Sequence, residues 1–174
     1  MPTTMTDPIV RRLLEAEGFL ELGMPSHALE ILQSRSEWAT VQFEASYLTG
    51  EALRELGRYR EALAALDVAA KLRPDSLHVA IAQGWCYKRT HRLAQAIDAL
   101  DRARRHHPDN ALIRYNLACY WSLAGDPVKC LEELRAALAI APHYRAMIDS
   151  EPDFDPVRSN PSFRRLVLGP SRSG

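Results

Sequence analysis

Four residue columns recur along the chain at a fixed step of 34 positions. Ala28, Ala62, Ala96 and Cys130 form one column, and Leu32, Leu66, Leu100 and Leu134 a second. Phe19, Leu53, Tyr87 and Trp121 form the third, and Ala16, Gly50, Gly84 and Ala118 the fourth. Pro74, Pro108 and Pro142 lie on the same lattice and close each unit. No column slips. A period of this size means stacked supersecondary units, each too small to bury its apolar face alone. Such a chain offers a surface, and no GxSxG, P-loop or GxGxxG motif adds reactive chemistry to it.

Residues 77–110 illustrate one unit. Asp75 and Ser76 follow Pro74 and supply cap oxygens for a helix opening near Leu77. Ala80, Gly84 and Tyr87 continue it at helical spacing, and it is predicted to stop near Thr90. Leu93, Ala96, Ile97, Leu100 and Ala103 then draw the apolar face of a second helix. Pro108 ends that helix, since proline lacks the N–H and clashes with the preceding turn. Gly23, Gly57 and Gly125 fall between the paired helices, where a left-handed residue closes the first one. His91 occupies that point in the third unit, which predicts a mildly strained non-glycine there.

Composition limits the functional classes. Lys plus Arg and Asp plus Glu both number 22, so the formal charge is zero and no whole-chain field favours nucleic acid or an anionic bilayer. The apolar fraction of 47% fits a folded chain. Cys86, Cys119 and Cys130 make an odd set without CxxC spacing, which fits a reducing compartment and no disulfide framework. The first residues lack a basic and then apolar pattern, so no secretory signal is expected, and no apolar run is long enough to span a membrane. A cytoplasmic protein is the expectation.

Paired helices in units of 34, small residues at Ala16, Gly50, Gly84 and Ala118, a large residue at Phe19, Leu53, Tyr87 and Trp121, and a closing proline resemble the tetratricopeptide repeat family. The period is one of that family's known signatures. The resemblance implies an all-α, right-handed α-solenoid of four helix hairpins, at 9–42, 43–76, 77–110 and 111–144. A tail at 1–8 precedes them, a capping segment at 145–168 follows, and 169–174 reads as a disordered tail. The first repeat departs, with Arg35 in place of alanine and Thr40 in place of proline, as suits a terminal cap. The run from Asp153 through Pro156 and Asn160-Pro161 to Phe163 is similar to the closing segment of many bacterial members. Physically it reads as a lid, with Phe154, Val157, Phe163 and Leu166 covering the apolar edge of the last hairpin.

In the family, first helices line a concave groove. Carried over by lattice position, the groove would present Tyr47, Glu51 and Arg54, then His78, Ile81, Trp85 and Lys88, then Tyr115, Asn116, Cys119 and Ser122. The aromatics join apolar area to a polar handle, and Arg54 and Lys88 suit acidic groups; the competing reading is simple packing between neighbouring helices. Recognition of a terminal carboxylate, as some members perform it, does not fit, because Ile81 and Trp85 stand where Lys and Asn are needed.

Lys88, Arg89, Arg92, Arg102, Arg104, Arg105, His106 and His107 gather in the third repeat, and Glu15, Glu17, Glu21, Glu44, Glu51 and Glu55 earlier. This is a solvated face, a landing site for an acidic partner, or the two ends of a head-to-tail assembly. His78, His91 and His143 have no HExxH or CxxC partner, so no metal and no cofactor is implied. Cys130 reads as a small buried hydrophobe and Cys119 as groove-exposed. The function expected is non-catalytic binding of another protein or peptide, without nucleic acid or membrane. The alternatives are a secretion-type chaperone for an export substrate and a self-assembling, homo-oligomeric scaffold.

Overall fold

The computed structural model describes residues 7–34 and 38–168. The tail 169–174, most of the N-terminal tail 1–8 and the departure at Arg35 lie outside these residues. Among the described residues every regular element is a helix and there is no strand. Two compact units divide between His91 and Arg92, inside the third expected repeat.

The first unit holds α1 (Pro8–Glu21), α2 (Pro25–Gln33), α3 (Gln42–Glu55), α4 (Tyr59–Leu72) and α5 (Leu77–Arg89). Asp7 caps α1 by accepting from the Ile9 N–H at 2.8 Å, and Ser76 caps α5 by accepting from that of Val79. Each helix packs on the next, and α1, α3 and α5 also touch in series. Ala16, Ala28, Ala62, Leu66 and Ala69 are fully buried, so the small-residue columns face inward. The closest approach is at Gly50, where an added Cβ would lie 2.6 Å from Leu66 Cγ and Cδ2. Only a residue without a side chain admits Leu66 at that distance. Buried Gln83 of α5 donates to Asp67 of α4 at 2.7 Å, which satisfies a polar group the core would otherwise penalise.

The second unit holds α6 (Leu93–His106), α7 (Ala111–Leu123), α8 (Pro127–Ile140), a 3-10 turn (Pro142–Tyr144), α9 (Arg145–Ile148), a second 3-10 segment (Pro152–Val157) and α10 (Pro161–Leu168). Asn110 and Asp126 cap α7 and α8 through the N–H groups of Ile113 and Lys129, both at 3.0 Å. Glu133 of α8, 6% exposed, accepts from Arg114 of α7 at 2.9 Å and lies 3.6 Å from Arg104 of α6. Three helices are thereby tied to one carboxylate, whose burial is tolerable because two guanidiniums reach it.

The lid is real and tightly held. Ile148 and Phe154 are fully buried, and Val157 and Phe163 nearly so, whereas Leu166 is only half-buried. Arg158 donates to the carbonyls of Ile148, Asp149 and Glu151 at 3.2, 3.0 and 2.9 Å, gathering the bend into one clamp. Arg145 donates to the Leu166 and Val167 carbonyls, satisfying the end of α10.

The turns within hairpins carry the four positive-φ residues among those described: Gly23, Gly57 and Gly125 at 68, 73 and 75°, and His91 at 60°. His91 therefore does adopt the left-handed conformation that its lattice position requires. Two outcomes test this packing scheme. His91→Gly leaves the thermal midpoint unchanged or raises it, because relief of the left-handed penalty, about 1 kcal/mol, offsets the extra entropy of an unfolded glycine. Gly50→Ala lowers stability by about 1–3 kcal/mol in urea, since Leu66 must shift.

Candidate functional site

On α3, Tyr47, Glu51 and Arg54 follow a helical i, i+4, i+7 spacing and form one stripe. On α5, Ile81, Trp85 and Lys88 repeat the spacing, and His78 precedes them by one turn. Because α3 and α5 pack together, the stripes are neighbours within the first unit. Tyr47 and His78 join them, with ring centroids 6.4 Å apart. Tyr47, Glu51, Arg54, Ile81 and Lys88 are half-buried, His78 is exposed, and Trp85 is 42% exposed.

The charges are organised. Arg54 donates to both Glu51 oxygens, Nε to Oε1 and Nη2 to Oε2, each at 3.0 Å. This bidentate bond raises the Arg54 pKa and leaves the guanidinium permanently charged. Burial, reinforced by Glu51 and opposed by Arg54, pushes the Tyr47 phenol up to about 12. Burial also pushes the Cys86 thiol beneath the stripe up to about 11, so it is inert at neutral pH. Lys88 Nζ stands 5.2 Å from the Trp85 ring centroid, within cation–π range.

Two residues outside the expected set extend this face. Phe43 stacks beside Tyr47 at 6.4 Å, and Arg73, just after α4, lies 3.8 Å over the Phe43 ring while pairing with Glu44. Phe43 opens the helix one turn before Tyr47, so its spacing carried the signal. Arg73 reaches the face only through the packing of α4 on α3, which no local spacing reports.

In the second unit the lattice positions behave differently. Tyr115, Cys119 and Ser122 are 3%, 2% and 0% exposed, so they belong to the core; Asn116 alone of that set is half-buried. For Tyr115 the closing segment supplies the cover. The 3-10 segment Pro152–Val157 lies on α7, and Phe154 meets the Tyr115 ring edge-on at 5.6 Å. Tyr144 stacks on Tyr115 at 4.9 Å. Burial drives the Tyr115 phenol far above its usual value. The Tyr115 and Ser122 hydroxyl oxygens are buried without a hydrogen-bond partner. Cys130 is fully buried, and its thiol is pushed up to about 12 by burial.

The cations of α6 are matched by their own acids. Arg102 pairs with Asp98, Arg105 with Asp101, and Arg104 with Asp101 and Glu133. Among the described residues no three or more His, Cys, Asp or Glu side chains gather as a metal site would require.

Models of the tetratricopeptide repeat match residues 13–76 and 53–118. The chain belongs to the tetratricopeptide repeat family. A search of curated proteins gave no match. Among solved structures, one of MamA is 18% identical with a TM-score of 0.73, covering 82% of this chain and 83% of that one. MamA 41-end from Desulfovibrio magneticus RS-1 is 23% identical with a TM-score of 0.71, covering 95% and 96%. YrrB, described as a TPR protein with an unusual peptide-binding site, is 18% identical with a TM-score of 0.73, covering 84% and 75%. At these identities the likeness shows the fold, an all-α tetratricopeptide solenoid.

A core role for the fourth-repeat stripe has a direct check. Tyr115→Phe and Ser122→Ala, which remove unpartnered buried hydroxyls, leave stability unchanged or raise it by about 1 kcal/mol in chemical denaturation. Tyr115→Ala lowers it by about 3–5 kcal/mol.

Proposed function

We propose that this chain is a non-catalytic interaction module that takes a peptide segment of another protein on the α3–α5 face. Tyr47, His78 and Trp85 supply apolar contact, Glu51 and Arg54 form a fixed polar edge, and Lys88 supplies a cation. The observation that carries the reading is Trp85, 42% exposed on a helix whose neighbouring positions are buried. The fold leaves this side chain in water although indole is among the costliest to expose. Interfaces concentrate their free energy in such residues. The description of YrrB as peptide-binding supports the class of ligand.

Asn116 is the one candidate of the fourth repeat kept in the proposal, because Tyr115 is covered by Phe154 and Tyr144, and Cys119 and Ser122 are buried. A cytoplasmic setting belongs to the same proposal. Its support is three buried cysteine thiols and, among the described residues, no helix long and apolar enough to cross a membrane. Head-to-tail assembly is the weaker reading, because Arg102, Arg104 and Arg105 pair with acids of their own chain.

The test is affinity capture with the parent and with Trp85→Ala. The variant keeps its circular dichroism and stays cooperatively folded, since the indole lies at the rim of the core, 42% exposed. It loses the partner captured by the parent, with binding weakened by about 2 kcal/mol or more. Retention of every specific partner at parental strength would falsify the reading.

A further inference from the structure

A second feature of the first unit lies away from the α3–α5 stripe, at the turns inside the hairpins. The turn joining α3 to α4 and the end of α5 enclose an open cavity of about 380 Å³. Arg58, Tyr59, Arg60, Glu61, Arg89 and His91 line it. Arg58 and Glu61 neutralise each other through paired bonds of 2.8 and 2.6 Å. Arg60 and Arg89 have no acidic partner among the described residues. Arg89 is steadied by the Tyr59 ring, 5.5 Å from its guanidinium carbon, and Arg60 is exposed.

The repeats act as their own controls. One or two steps of 34 from Arg60 stand Ser26, Ala94 and Val128; from Arg89, Glu21, Glu55 and Leu123; from His91, the three left-handed glycines Gly23, Gly57 and Gly125. Hairpins therefore close without a cation at any of these three positions. In this cavity all three depart together, and one departure holds an imidazole at φ 60° where glycine is unstrained. The turn requires the left-handed backbone at position 91, but neither a side chain there nor an uncompensated pair of guanidiniums has a role in closing the hairpin. Such outliers point towards a ligand. Guanidinium forks match oxyanions in geometry as well as charge.

We propose that this cavity is an oxyanion site that takes clustered carboxylates from an acidic segment of a partner polypeptide. Arg60 and Arg89 bind the carboxylates, Tyr59 orients Arg89, and His91 contributes a ring N–H. The site is independent of the Trp85 face.

Fluorescence anisotropy of the full chain with labelled hexaglutamate and hexaglutamine peptides tests it, with inorganic phosphate as a third probe. The parent binds hexaglutamate but not hexaglutamine, and binding weakens as salt shortens the screening length. Arg60→Glu with Arg89→Glu weakens it at least about 10-fold, and His91→Gly about 3-fold without loss of stability. The milder pair Arg60→Gln and Arg89→Gln serves if the charge reversal disturbs folding. Trp85→Ala leaves the affinity unchanged, so failure here and failure of the α3–α5 reading are separable. Equal binding of both peptides, no effect of the arginine changes, or binding of phosphate alone would overturn the proposal.

Discussion

Close approach of paired helices at small residues is the constraint on which the structure rests. Gly50 admits Leu66 to a distance no Cβ allows, and Ala16, Ala28, Ala62, Ala96, Ala118 and Cys130 have no exposed surface. The hairpins α1–α2, α3–α4 and α7–α8 bury their seams this way. The left-handed residue in each turn follows from the same demand. The second helix must double back at once onto the first, and an αL residue reverses the chain in the fewest steps.

Once the seams are closed, the remaining chemistry is a question of which stripe stays uncovered. On α3 and α5 the residues Tyr47, Glu51, Arg54, Trp85 and Lys88 keep contact with solvent. On α7 Tyr115 is roofed by Phe154 and Tyr144, and Cys119 and Ser122 are buried as well. The covering residues are held by buried aromatic contacts and by the Arg158 and Arg145 clamps, so the roof is part of the core of its unit. The unpartnered Tyr115 and Ser122 hydroxyls show that burial of this stripe leaves two polar groups unsatisfied.

The charge pattern divides in the same manner. A run of cations in the third repeat reads as one basic patch along the chain. In space, Arg102, Arg104 and Arg105 turn to acids three to four residues away or on α8, while Arg89 joins Arg60 beside the turn between α3 and α4. Pairs at i, i+3 and i+4 were legible once α6 was recognised as a helix. The meeting of Arg60 with Arg89 was not, because it requires α4 and α5 to be packed first.

Taken alone, the order of residues determined the family, the helical class, the seam columns and the four left-handed turns, His91 included. These depend on contacts within a few residues or at one constant step, and a period preserves them. What only the tertiary structure decided was exposure: that Trp85 is open, that Tyr115, Cys119 and Ser122 are closed, and that Glu133 gathers two arginines. Burial is set by whatever covers a side chain from elsewhere in the chain. The lid that covers α7 begins after the repeats end, where the period no longer says which face it will choose.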